Sequence, residues 1–198
     1  MKTDPSSRIE NATVTLLKKG GQGILVKNQM ILTAAHCVDY SLTGGMVLGD
    51  YYIEEIKTHS GNLKVAPCCI EPISDIAVLC ELDNQVFFSE FEQFDEFVKN
   101  TKPVRICRNK LDAYKKFKIF IYSHEKKWIT GYAQVVRSDS HMLIIESEEP
   151  IKGGTSGSAI VNEQGEIVGI VSNSSEEDSI GSAPRPHLTL PIWICRKI

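Results

Sequence analysis

Apolar and polar residues alternate in short stretches through the first eighty positions, and this period of two predicts strands rather than helices. The segment 8–17 contains the alternating Thr13-Val14-Thr15-Leu16, Lys18-Lys19-Gly20-Gly21 breaks it, and Gly23-Ile24-Leu25-Val26-Lys27 resumes it. Asn28-Gln29 makes a tight connection to Met30-Ile31-Leu32-Thr33. Further strands are expected at 45–57, 63–66 and 75–80. Each short strand buries one face and must find sheet partners quickly, so the spacing points to an all-β barrel or sandwich.

The pattern changes between 81 and 100. Val86-Phe87-Phe88-Ser89-Glu90-Phe91-Glu92-Gln93-Phe94-Asp95-Glu96-Phe97 is aromatic and acidic, and its apolar positions recur mostly every three or four residues. A short amphipathic helix or packed connector follows, its aromatic stripe facing its own core rather than a partner. Strands return at 103–107, 117–123, 128–136 and 142–146, and two more at 157–162 and 166–172 flank the turn Glu163-Gln164-Gly165. Residues 174–186, which include Ser174-Ser175-Glu176-Glu177-Asp178-Ser179, read as a mobile polar loop. Two β-rich halves around a connector predict two small barrels facing one another, an N-terminal one over 1–85 and a C-terminal one over 101–198, with 86–100 between them.

Composition narrows the function classes. The 198 residues, 42% hydrophobic and 24% charged, are ordinary for a globular protein of one domain or two small ones. A net charge of −3 supplies no global positive field for phosphate backbones. Residues 102–127 do carry nine Lys/Arg against Asp112 and Glu125, with Tyr114, Phe117, Phe120 and Tyr122 among them. Strand alternation puts Phe120 and Tyr122 on one face, most simply the buried one, so the cluster reads as a solvated basic face and no nucleic-acid partner is expected.

No apolar run approaches the roughly 20 residues that span a bilayer, and residues 1–8 hold no apolar signal core. The expectation is a cytoplasmic protein with no membrane partner. Six cysteines are not needed as staples in a chain with a full core, so reduced thiols are expected. With no CxxC, and Cys68-Cys69 adjacent, neither a metal nor another cofactor is expected. Gly20-Gly21-Gln22-Gly23 lacks the Lys-Ser/Thr of a phosphate loop.

Three segments carry chemistry together. Thr33-Ala34-Ala35-His36-Cys37-Val38 ends a strand with a histidine among small residues, where a base can reach a cleft. Ser74-Asp75-Ile76-Ala77-Val78-Leu79 places one carboxylate at the mouth of an apolar strand. Gly153-Gly154-Thr155-Ser156-Gly157-Ser158-Ala159 surrounds a serine with glycines that permit a sharp turn and close approach of a substrate carbonyl. A serine hydroxyl is a poor nucleophile unless an imidazole takes its proton and a carboxylate fixes the imidazole tautomer. In that scheme Ser156 attacks, His36 is base and then acid, Asp75 orients His36, and the N–H groups of Gly154 and Ser156 hold the oxyanion. Hydrolysis should then rise through an imidazole pKa near about 6.5 or somewhat higher.

The order His, Asp, Ser resembles the trypsin/chymotrypsin-like serine peptidases, nearest to the bacterial HtrA-like and glutamyl-endopeptidase-like branches. The resemblance runs from Gly23-Ile24-Leu25-Val26 through the His36 and Asp75 segments to Gly154-Thr155-Ser156-Gly157-Ser158, Ile160-Val161-Asn162 and Gly165-Glu166-Ile167-Val168-Gly169-Ile170. It implies an all-β fold of two six-stranded antiparallel β-barrels with the site in the cleft between them. It also implies endopeptidase activity on protein or peptide substrates. Where trypsins carry an aspartate before the nucleophile this chain has Thr155, so activation through a new amino terminus is not expected. The resemblance further places Ile151, Val171, Ser172, Asn173 and Ser174 near the primary specificity pocket and implies a Ser172–Asp75 hydrogen bond. No counter-charge stands at the pocket positions, which implies a small or apolar residue before the scissile bond. Two alternatives stay open: a silent protease-fold module that binds peptides or scaffolds an assembly, and the protease domain of a longer protein with a regulatory domain or partner.

Overall fold

Val14 and Leu16 are buried and Thr15 is exposed, so the alternation of Thr13-Val14-Thr15-Leu16 becomes strand β1 (Thr13–Leu16). The computed structural model describes residues 5–38, 53–109, 111–136, 142–172 and 185–190, together with Ile194. After β1 come β2 (Gln22–Val26) and β3 (Met30–Ala34), joined at Asn28 and Gln29, both left-handed with φ of 61° and 59°. Two left-handed residues in succession match the twist of a tight hairpin and fix its register. Then follow β4 (Glu54–Thr58), β5 (Gly61–Glu71) and β6 (Ile76–Cys80). The six close into an antiparallel barrel in the order β1-β2-β3-β6-β5-β4. The register of β5 on β6 slips between Pro67 and Cys69, a bulge that bends the long strand.

The second unit contains β7 (Arg105–Ile106), β8 (Lys116–Tyr122), β9 (Trp128–Val135), β10 (Met142–Ser147), β11 (Ala159–Asn162), β12 (Glu166–Ile170) and β13 (Arg185–Thr189). Its order is β11-β8-β9-β10-β13-β12-β7, and a further pairing of β11 with β12 closes six antiparallel strands into a ring. The short β7 adds a seventh strand, parallel to β12, so the sheet is mixed rather than purely antiparallel. Part of the 45–57 segment, residues 45–52, lies outside the described residues, as do 174–184 of the polar loop.

Several expectations change. Residues 8–12 are not strand but belong to helix α1 (Pro5–Ala12), opened by a proline preset for a first turn and burying Ile9 and Ala12 on one face. The Thr13 hydroxyl donates to the Ile9 carbonyl at 2.8 Å, and the Trp128 indole N–H donates to Glu10 Oε1 at 2.8 Å, tying α1 to the second unit. Arg185 and Pro186 are not loop but open β13, with Pro186 opposite Ile144. Phe120 and Tyr122 share a face of β8, but Ile119 and Ile121 are the fully buried pair. The two aromatics are half-buried and pack toward the first barrel's core, so both faces of β8 are covered.

The aromatic segment forms α2 (Phe88–Asn100), packed on β5 with Phe94 and Phe97 fully buried and Phe88 exposed. One apolar cluster joins the first barrel to α2 and to Val161, Ile167 and Ile170 of the second unit, which keeps a smaller core of its own. No disulfide joins the described cysteines Cys37, Cys68, Cys69, Cys80 and Cys107.

Candidate active site

The β2–β3 hairpin delivers Ala34 to the barrel rim, where a single 3-10 turn (Ala35–Cys37) turns His36 outward while Ala35 and Cys37 stay buried. Antiparallel pairing of β3 with β6 sets Ala34 opposite Ile76 and so places Asp75 beside the turn. The Ala35 N–H donates to the Asp75 carbonyl at 3.0 Å. Asp75 itself is left-handed, φ 48°, a conformation that costs a non-glycine residue about 1–3 kcal/mol. The approach to it is held by Glu71, whose carboxylate accepts the N–H groups of Ile73 and Ser74 at 2.9 and 2.8 Å.

This backbone aims the Asp75 carboxylate at three donors. Oδ1 accepts the His36 N–H at 2.9 Å, while Oδ2 accepts His36 Nδ1 at 2.7 Å and the Ser172 hydroxyl at 2.5 Å. Burial works against ionising Asp75, but the hydrogen bonds from His36 and Ser172 outweigh it and hold the carboxyl below its ordinary range. The same bond to Asp75, and then one with Cys37, push the His36 imidazole up to about 10 against the opposing effect of burial. With Nδ1 donating to Asp75, Nε2 is the ring nitrogen left to exchange a proton.

The glycine-rich turn arrives from the second unit. Gly154 and Gly157 both have φ of 83°, the Thr155 N–H donates to Lys152 O at 3.2 Å, and the Ser158 N–H donates to Thr155 O at 3.1 Å. Ser156 sits half-buried at the bend, and its carbonyl accepts the Gln22 N–H at 2.7 Å. A side chain at Gly157 has no room, because a Cβ there would lie 1.9 Å from the Gln22 carbonyl oxygen. The Gly157 N–H donates to Val171 O at 2.8 Å. Residues adjoining Ser156 are thereby fixed to Val171, next to the Ser172 that bonds Asp75. On the other side a Cβ at Gly21 would meet Cys37 Sγ at 2.5 Å and Ser156 O at 3.0 Å. Gly21 therefore fills the gap between the His36 turn and the Ser156 bend. Among the described residues, no backbone carbonyl takes the N–H of Gly154 or of Ser156 outside helices and strands.

Of the residues singled out by sequence, His36, Asp75 and Ser172 form one hydrogen-bonded cluster, and Ser156 and Gly154 belong to the bend tied beside it. Ile151 and Val171 are buried in the second core at 2% and 0% exposure. Asn173 and Ser174 lie outside the described residues.

Sequence reasoning passed over Gln22. Its side-chain carbonyl accepts the Ser158 hydroxyl at 2.5 Å and its backbone carbonyl accepts the Thr33 hydroxyl at 2.6 Å, so one buried residue spans both units. A lone amide in the buried strand Gln22–Val26 was the available signal. No motif marks His124, which is exposed, but its ring lies on the side of Gly154 where a side chain would project. Among the described residues no group of three or more His, Cys, Asp or Glu side chains is placed to hold a metal.

A family model described as a trypsin-like peptidase domain matches residues 21–170. No curated protein matches the chain in sequence. Among solved structures, the active form of the Rv3671c protease of M. tuberculosis is similar, with TM-score 0.62 and 12% identity over 93% of this chain and 78% of that one. An inactive form of the same protein, carrying a serine-to-alanine change, gives TM-score 0.61 and 13% identity over 95% and 85% of the two chains. At such identities these likenesses concern the fold.

Proposed function

The chain belongs to the family of trypsin-like peptidase domains, and from that premise we propose a serine endopeptidase whose triad is Ser156, His36 and Asp75. The observation that carries the reading is the double attachment of the Ser156 bend, through Gln22 to the His36-bearing barrel and through Val171 to the neighbour of Ser172. Each attachment is a backbone hydrogen bond, so the nucleophile's position does not depend on a flexible side chain.

In this reading Ser156 Oγ attacks the scissile carbonyl carbon and His36 Nε2 takes its proton. Charge develops on the carbonyl oxygen, and this reading assigns the N–H groups of Gly154 and Ser156, which no backbone carbonyl takes among the described residues, to hold it. As the C–N bond breaks, His36 returns the proton to the leaving amine and an acyl-Ser156 ester remains. Water then repeats the sequence and frees the acid. Asp75 holds the Nδ1–H tautomer throughout and stabilises the imidazolium, while Ser172 anchors the same carboxylate oxygen that accepts from His36 Nδ1.

A small or apolar residue before the scissile bond is the preference this reading assigns, since Ile151 and Val171, both buried in the core, bring no counter-charge for Arg or Glu. Mass spectrometry of a peptide mixture digested by the wild type and by Ser156→Ala tests both parts. The expected result is a set of cuts after Ala, Val, Leu or similar residues, absent with Ser156→Ala. Identical cuts from both proteins would remove Ser156 from the chemistry, and a profile dominated by Arg or Glu would overturn the proposed preference.

A further inference from the structure

The turn between β8 and β9 is closed on itself. The Ser123 N–H donates to Lys127 O at 2.9 Å, the Lys126 N–H donates to Ser123 O at 2.9 Å, and the Ser123 hydroxyl donates to Lys127 O at 3.0 Å. It carries two side chains onto the glycine-rich loop. Glu125 Oε1 meets Lys152 Nζ at 2.8 Å, an exposed pair that salt screens. His124, though exposed, has its Nδ1 3.1 Å from the hydroxyl of Thr155, which is fully buried, and its ring occupies the space into which a side chain at Gly154 would project. A Cβ at Gly154 would lie 3.2 Å from His124 Cγ.

The ring therefore braces two successive residues, Gly154 and Thr155, immediately before the serine. Gly154 is the flexible link in that stretch. Glycine populates both hands of φ readily, so nothing in the residue itself keeps its N–H turned toward an incoming carbonyl. The restraint must come from outside the loop. A rigid turn that sets an imidazole where a side chain at Gly154 would project and bonds the next hydroxyl supplies it.

Resting on the peptidase reading, we propose that His124 is a positioning residue that holds the Gly154 N–H in the oxyanion-binding orientation by packing on Gly154 and hydrogen-bonding Thr155. The role is separate from proton transfer, since His124 touches neither the Ser156 hydroxyl nor the Asp75–His36 pair. At the position where trypsins carry an aspartate, this chain would use a hydroxyl held by a neighbouring imidazole.

An alkyl fluorophosphonate is the probe. In its reaction the Ser156 Oγ–P bond forms, the P–F bond breaks, fluoride leaves and the hydroxyl proton passes to His36, while the phosphoryl oxygen occupies the oxyanion position. For His124→Ala and Thr155→Val the maximal inactivation rate is expected to fall about 10-fold or more, toward the roughly 10²–10³ that one lost oxyanion donor costs. The concentration giving half that rate should stay within about twofold of wild type, because ground-state binding is untouched. His124→Asn, whose amide can reach the position of Nδ1, should recover most of the rate, and His124→Gln should not. The Gly154 amide resonance should shift and exchange faster with solvent in the two damaged variants.

An inactivation rate in His124→Ala within about twofold of wild type, or a loss seen only in the concentration dependence, would overturn the proposal. A wild type that the probe never labels would instead defeat the peptidase reading. The Gly154 amide would still decide the positioning role, an unchanged signal in His124→Ala counting against it.

Discussion

Asp75 accepts from three donors while standing in a left-handed conformation, and its charge sets the behaviour of His36. The pair links folding to pH in two directions. Because the imidazole is raised to about 10, its contribution to stability is complete below the unfolded value of about 6.5 and fades as pH rises through the folded one. Because the carboxyl is lowered, its contribution is present above about 3.9 and is lost as pH falls through the depressed value. Catalysis runs opposite to the first of these, since only the neutral imidazole accepts the serine proton. The pH–rate profile should therefore inflect above the ordinary imidazole value of about 6.5, displaced toward alkaline pH. Asp75→Asn should move the inflection back down and lower the rate by roughly four powers of ten. Steady-state hydrolysis across pH checks this, and a wild-type inflection at or below the ordinary value contradicts it. These residues were legible because the proposed chemistry asks for specific residue types: a histidine among small residues, a carboxylate at the mouth of an apolar strand and a serine among glycines stand out in one chain. Gln22 was not legible, because although Thr33 lies beside it in the same hairpin, Ser158 comes from a distant segment and becomes its neighbour only when the two units meet.

Among the elements, α2 was readable because Phe91, Phe94 and Phe97 repeat at helical spacing and two of them are buried. Helix α1 was not, since Ile9 and Ala12 alone mark its buried face and the alternating strand follows without a break. Strand β13 was hidden by Pro186, a residue that ordinarily argues against a paired strand. The same contrast yields a measurable difference along α2. Phe94→Ala or Phe97→Ala removes a fully buried ring and should cost about 3–5 kcal/mol. Phe88→Ala, at a position 64% exposed, should change stability by less than about 0.5 kcal/mol. Urea denaturation distinguishes the two, and equal losses at Phe88 and Phe94 would contradict the orientation of the helix.

At the scale of the whole molecule, the shared apolar cluster presses the first barrel against Val161, Ile167 and Ile170. Gln22 and Gly21 make the polar and the close-packed contacts at the same seam. Neither unit holds the proposed machinery alone. His36 and Asp75 come from one, Ser156 and Ser172 from the other, so the site exists only where the two are locked together. Chain order and spacing announced the pairing of units. The hydrogen bonds that fix their relative placement are long-range and leave no local pattern. A crystal structure of the protein after reaction with an alkyl fluorophosphonate tests that claim most directly. The account predicts phosphorus bonded to Ser156 Oγ, with its phosphoryl oxygen about 2.7–3.1 Å from the N–H groups of Gly154 and Ser156, and His36 still bonded to Asp75. An adduct on any other residue, or a phosphoryl oxygen turned away from Gly154 into solvent, would contradict it.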